Sequence, residues 1–235
     1  MEAATGYPTR DAATDPAQDP AQDPAQDPTS EPAPARVASR TRGRPRSAAA
    51  DTAILSATRE LLAERGWADL TIAEVAARAG VAKTTLYRRW AGKADLVADA
   101  MAALFAELEL VDLGSVLDDA MGVVRQYAAL LRLPETQAAL LALAAESARD
   151  AALHAKVKLR VIDPQRRLVY EGLERAVARG EMSGQTDADL IFDMISGTLV
   201  QRILISGQPV DDAYLVRLAT VLVSGLSMSR ESGGR

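Results

Sequence analysis

The sequence predicts an all-α fold, with a small three-helix unit containing a helix-turn-helix ahead of a larger helical domain. Three observations carry this prediction. Hydrophobic residues make up 48% of the 235 residues while aromatics make up only 4%, so alanine and leucine, both strong helix formers, supply most of the apolar content. Beyond residue 47, apolar residues recur at three- and four-residue spacing, the period of a helix with one buried face. Runs of β-branched residues bounded by turn residues, the mark of strands, do not occur.

Residues 1–46 are expected to form no element. From Asp15 through Pro28 runs a near-perfect Asp-Pro-Ala-Gln repeat with almost nothing apolar to bury, and proline at every fourth position blocks both helix and sheet ladders. An arm follows, RVASRTRGRPR over residues 36–46, with arginines at 36, 40, 42, 44 and 46.

The first helix is predicted from about Ala48 to Arg65, with Ile54, Ala57, Leu61 and Leu62 on one stripe and Gly66 as its stop. Trp67 and Leu70 seal its end. Thr71 caps the next helix while Glu74, three residues on, reaches back to the free backbone amide, and Leu70 and Val75 flank them as a hydrophobic staple. Ile72, Val75, Ala76 and Ala79 keep helical spacing until Gly80, placed where a residue of positive φ ends a helix, and Val81 folds back on it. The third helix spans roughly Ala82 to Trp90.

A further amphipathic helix runs from Lys93 to about Leu110, with Leu96, Val97, Ala100, Met101 and Leu104 inward. Helical stretches follow at roughly 115–132, 135–149, 151–179, 188–206 and 212–228, punctuated by Pro134, Gly180, Gly207 and Pro209. Pro164 falls inside the third of these, which predicts a kink or a restart there with Asp163 as a new cap. Asp187 and Asp211 cap the last two helices. Their stripes are Ile191, Met194, Ile195, Leu199 and Ile203, then Leu215, Leu218, Ala219, Leu222 and Leu226. With Ile205, Val216 and Val223 also to cover, a partner surface is the economical explanation.

The net charge of −5 hides three unlike segments. Residues 1–35 carry one basic and seven acidic residues, 36–100 carry 12 and seven, and 101–235 carry 14 and 18. Positive charge is therefore concentrated on the helix-turn-helix and its arm, where it would neutralise phosphates and release counterions. Within the third helix, Lys83, Thr84, Tyr87 and Arg88 fall in an arc of roughly 140 degrees, opposite Ala82 and Leu86. That face offers donors, a methyl and a flat ring, which suits base edges and phosphates in a major groove. A generic amphipathic hairpin with a solvated face is the alternative.

The run from about Ser47 to Met101, with TIAEVAARAGV, TLYRRW and GKADLV, resembles the DNA-binding domain of the TetR family of transcriptional regulators. The resemblance implies a recognition helix at Lys83 to Trp90. It matches Lys83, Thr84 and Tyr87 to base-reading positions, Thr85, Arg88, Arg89 and Lys93 to phosphate-contacting positions, and Leu86 and Trp90 to packing positions. It further implies a regulatory domain that binds a small-molecule effector, in a pocket between roughly Met101 and Arg179, and a two-fold homodimer through the last two helices. The expected domains are a tail and arm at 1–46, a DNA-binding domain at 47–92, a ligand-binding and dimerisation domain at 93–229, and a short tail at 230–235. The arm's RGRP core resembles an AT-hook, which makes Arg42 and Arg44 minor-groove candidates; a generic basic tether is the alternative. The acidic repeat would compete with DNA for that arm, or serve solubility alone.

Catalytic chemistry finds little material. There is no cysteine, and His154 is the only histidine, so neither a thiolate nucleophile nor a two-histidine metal site can be assembled. Asp187, Asp189 and Asp193 are better read as cap and helix-dipole partners than as a cation site. No cofactor and no enzyme activity are expected. Neither a signal sequence nor a run of about 18 apolar residues occurs, so the chain is expected to be cytoplasmic and without a membrane partner. The expected function is a ligand-responsive repressor that binds a palindromic operator in double-stranded DNA as a homodimer. The alternative is a helical protein-binding adaptor, separable by the steep salt dependence of DNA binding.

Overall fold

The structure, a computed structural model, describes residues 45–228, with side chains from 48 to 225. The acidic repeat, Arg42, Arg44 and the final tail lie outside the described residues. Helix α1 (Pro45–Asp69) buries Ile54, Ala57, Leu61 and Leu62, the predicted stripe. Gly66 adopts φ 76 and breaks the helix where a stop was expected, but one more helical turn carries the chain past Trp67 to Asp69. Leu70 then enters the core.

Helix α2 (Ile72–Arg78) is anchored at both ends. The Glu74 amide donates to Thr71 Oγ1 at 3.3 Å, but the reciprocal half of the expected capping box is absent. Instead the Thr71 hydroxyl donates to Glu74 Oε2 at 2.8 Å and the Glu74 carboxylate pairs with Arg65. At the other end Gly80 has φ 66, its amide donates to Ala77 O at 3.2 Å, and the Val81 amide donates to Ala76 O at 3.0 Å. This double bond pattern satisfies two otherwise orphaned carbonyls and requires the left-handed residue that glycine supplies. Helix α3 (Lys83–Tyr87) is shorter than the Ala82 to Trp90 stretch expected. The Arg89 amide donates to Leu86 O at 2.8 Å in a tightened turn, which swings Trp90 into the core.

Helix α4 (Lys93–Phe105) buries all five residues predicted to face inward, together with Ala98, Ala102 and Phe105. It ends at Phe105 rather than near Leu110, through tight turns from Glu107 N to Leu104 O and Leu108 N to Phe105 O, both 3.2 Å. Residues 108–113 continue as a non-helical strap. Helices α5 (Val116–Arg132) and α6 (Pro134–Ser147) meet at 87°. Pro134 confines Leu133 to an extended conformation, which makes that corner. Helix α7 (Ala151–Val157), capped by Asp150, runs through a π-helical turn at Lys158–Ile162 into α8 (Asp163–Ala178). Pro164 therefore neither breaks the path nor restarts it behind an Asp163 cap. The widened turn absorbs the missing N–H, and the Asp163 carboxylate accepts from Lys158 Nζ at 2.9 Å. Helix α9 (Ala188–Val200), a second π-helical turn at Gln201–Ile205 and α10 (Asp212–Met228) complete the fold. Asp187 accepts from the Leu190 amide at 3.0 Å and Asp211 from the Tyr214 amide at 2.7 Å, as the sequence predicts for the last two helices.

No strand occurs among the described residues. Helix α1 packs on α4 and α6, while α5 lies against α6, α8, α9 and α10, and one hydrophobic core runs without interruption from Ile54 to Leu222. No single described helix is long and apolar enough to cross a membrane.

Candidate nucleic-acid interface

Helix α3 presents its polar side chains as a face because Leu86, opposite them, is taken up by the core, although Ala82 at its start is exposed rather than packed. Leu86 is buried completely and Trp90 nearly so, which fixes the rotation of a helix too short to be stable alone. Lys83, Thr84, Tyr87 and Arg88 consequently stand exposed together, and the Tyr87 ring is 61% exposed. An aromatic ring held in water on a rigid helix, among donors, is suited to stacking and hydrogen bonding rather than to packing. Thr85 is half-buried at the edge of this face.

Arg89 and Lys93 are placed differently. Arg89 forms an ion pair with Asp51 of α1. Lys93 Nζ donates to Trp67 O at 2.9 Å and lies 4.9 Å from the centre of the Trp67 ring. Both cations tie the segment after α3 to α1. Their partners were not evident in the sequence, since Asp51 and Trp67 lie far from them along the chain and follow no spacing rule.

A polar network connects α3 to the larger helical region. The Trp90 indole N–H donates to Asp99 Oδ2 at 2.8 Å, and the Ala91 amide donates to Asp95 Oδ2 at 2.9 Å. Lys156 from α7 pairs with Asp95 and lies 3.1 Å from Asp99 Oδ2. On the opposite side of α2, Arg78 bridges Glu60 and Glu64 of α1, and its hydrogen bonds hold the Glu64 carboxyl below its ordinary range.

Among the described residues of the larger region, an apolar cavity of about 70 Å³ lies between α5, α8, α9 and α10, lined by residues including Val116, Leu173, Ile195 and Val223. A smaller space of about 20 Å³ adjoins it beside Tyr127 and Gln165. The lining includes residues beyond Arg179, among them the half-buried Val223 of α10. Of the larger side chains between Met101 and Arg179, Phe105 and Tyr127 form a tilted buried pair with centroids 5.9 Å apart, whereas His154 and Tyr170 are exposed. Burial pushes the Tyr127 phenol up to about 12. Asp119 also borders the cavity, but its oxygens are used. Oδ1 accepts from the Leu113 amide at 2.7 Å and Oδ2 from Arg179 at 2.9 Å. Burial would raise its carboxyl, yet the Leu113 amide, Arg179 and Arg175 outweigh that and hold it low. Asp189 and Asp193 both face Arg166, at 3.2 and 3.6 Å.

Comparison with known proteins places this geometry. The family model for "Bacterial regulatory proteins, tetR family" matches residues 54–100, and that for "Tetracyclin repressor-like, C-terminal domain" matches residues 110–222. The DNA-binding transcriptional repressor TetR of Mycobacteroides abscessus is 35% identical over 178 residues, covering 74% of this chain and 91% of that one. Among solved structures, the TetR family transcription regulator SCO0332 superposes with a TM-score of 0.66 at 31% identity, covering 75% of this chain and 97% of that one. The transcriptional regulator FadR from Bacillus subtilis, solved in complex with stearoyl-CoA, shares the fold at 21% identity and a TM-score of 0.57, covering 74% of this chain and 98% of that one. The chain, with its exposed α3 face on a pinned helix-turn-helix, belongs to the TetR family and is a DNA-binding transcriptional regulator.

Proposed function

We propose that the chain is a repressor that occupies a palindromic operator as a homodimer and leaves it when a small apolar or amphipathic effector binds. The observation that carries the reading is the exposed group Lys83, Thr84, Tyr87 and Arg88 on a helix whose opposite side is buried. Lys83, Thr84 and Tyr87 read base edges, while Thr85, Arg88, Arg89 and Lys93 contact phosphates, the last two from positions held by Asp51 and Trp67. Arg42 and Arg44 reach the adjacent minor groove from the arm. Residues 47–92 thus carry DNA binding and 93–229 regulation and assembly, in the cytoplasm where operator DNA is available.

Exposed apolar side chains on α9 and α10, Leu190, Met194, Val216 and Val221, support pairing through the last two helices. A two-fold axis there sets two α3 helices on half-sites about one helical turn or a multiple apart. The apolar cavity supports the effector class, and FadR shows an acyl ligand held by a protein of the same fold.

Footprinting on the DNA flanking the chain's own coding region tests the reading. A protected palindrome is expected, lost in the triple variant Lys83→Ala, Thr84→Ala, Tyr87→Ala. Retained sequence selectivity in that folded variant would overturn it.

A further inference from the structure

The apolar cavity and a groove on the outside of the molecule meet at one side chain. A surface groove of about 500 Å³ is lined by Leu110, Glu171, Glu174, Arg175 and Ala178, and Leu110 is the one residue it shares with the lining of the inner cavity. Opposite Leu110 stands Gly172 of α8. A methyl group added there would lie 3.7 Å from both Leu110 terminal carbons, so the leucine lies over the site where a side chain is missing. Leu110 is half-buried and sits on the strap between α4 and α5, not on a helix.

We propose that the cavity is filled from this groove, past Leu110, by uncharged apolar molecules, and that filling it displaces the strap. The inference rests on the cavity being the effector site. Three observations support it. A cavity of about 70 Å³ is smaller than ligand sites usually are, roughly 300 Å³ or more, so a wall has to give. The walls on α5, α8, α9 and α10 are held by helical hydrogen bonds, whereas the strap is tied by a few side chains. The Glu109 amide donates to Gln126 Oε1 at 3.1 Å, Gln126 Nε2 donates to Glu109 O at 2.9 Å, Arg175 donates to Leu110 O at 3.3 Å, and Arg179 pairs with Asp112 at 3.1 Å. Rotating the Leu110 side chain needs none of these bonds broken, and pushing the strap outward breaks these together with the bond from the Leu113 amide to Asp119 Oδ1 at 2.7 Å.

The ligand class follows from the lining. Asp119, the one ionisable side chain there, already accepts from the Leu113 amide and Arg179, so a charged group brought inside would find no partner. The strap continues directly from Leu108 and Phe105 at the end of α4. Helix α4 holds Trp90 through Asp99 and the Ala91 amide through Asp95. Displacing the strap therefore loads the helix on which α3 depends.

Stopped-flow fluorescence of the full chain with N-phenyl-1-naphthylamine tests this, with 1-anilinonaphthalene-8-sulfonate as its charged counterpart. Saturable binding of the neutral probe is expected, at least about tenfold tighter than the sulfonate. In Leu110→Ala both association and dissociation should quicken by about tenfold with little change in Kd, and Gly172→Ala, which adds a methyl against Leu110 without a clash, should slow both. Unchanged rates in both variants, or rates altered instead by Val223→Ala on α10, would place the entrance elsewhere and overturn the proposal. Equal affinity for the sulfonate would overturn the ligand class. No binding of either probe to the wild-type chain would instead remove the effector reading on which the proposal stands.

Discussion

The indole N–H of Trp90, just beyond α3, donates to Asp99 Oδ2 of α4 at 2.8 Å. Trp90 is 5% exposed, and the same carboxylate oxygen lies 3.1 Å from Lys156 of α7. One carboxylate therefore joins the turn after α3, α4 and α7. Replacing Asp99 with alanine leaves a buried indole donor unpaired, a cost of about 1–3 kcal/mol. Urea unfolding should show that loss, and gel-shift titration should show weaker operator binding beyond what the unfolded fraction explains. Lys156→Met, which removes the second partner but leaves the Trp90 bond, should affect DNA affinity less.

Tyr87 and Arg88 are neighbours on α3 with different expected roles. Tyr87→Ala should change stability by less than about 0.5 kcal/mol, since the side chain packs on little. It should nevertheless weaken operator binding by about 1–3 kcal/mol while nonspecific binding stays close to wild type. Arg88→Ala should weaken binding to all duplexes alike and lower the slope of log affinity against log salt by about 1. Fluorescence anisotropy at several salt concentrations on operator and scrambled DNA measures both.

Tyr127 provides a pH signature for the packing of α5. Burial raises its phenol from 10.0 to about 12, so the unfolded chain loses this proton before the folded one does. Its contribution is complete below pH 10 and declines as pH rises through 10 toward 12, by about 2–3 kcal/mol in all. Chemical unfolding between pH 9 and 12 should show this decline in the wild-type chain and a shallower one in Tyr127→Phe.

Met194 and Val221 test the assembly. Met194→Glu and Val221→Glu place charges on side chains that are 40% and 64% exposed in the single chain, so the monomer fold should survive. If α9 and α10 form the dimer surface, burying those charges is costly, and sedimentation should show a monomer. Operator affinity should fall with it, because one α3 helix alone spans half the palindrome.

The exposed polar face of α3 was legible because it depends on local rules. Thr71, Gly80 and the apolar positions Val75, Ala76 and Leu86 define α2 and α3 through caps, a left-handed turn and helical period, all of which act within a few residues. The fates of Arg89 and Lys93 were not legible. Each is a basic residue that the resemblance would place at a phosphate, yet each has a partner in α1 chosen by how α1 crosses the helix-turn-helix. Val223 shows the same limit. An apolar residue on a second stripe is equally consistent with a partner protein and with an internal cavity, and only the packing of α10 against α5 and α8 puts Val223 at the edge of one.

The sequence alone determined the all-α class, the order of the helices, most of their caps and the chemistry displayed on α3, because period, propensity and capping are short-range effects. Tertiary structure alone decided where α4 ends and the strap begins, how the π-helical turn absorbs Pro164, which ion pairs join the segment after α3 to α1 and α4 to α7, and that a leucine lies over a glycine beside the cavity. These depend on residues up to 62 positions apart, as with Leu110 and Gly172, meeting at distances set by the packing of whole helices. No local pattern in the chain encodes those distances.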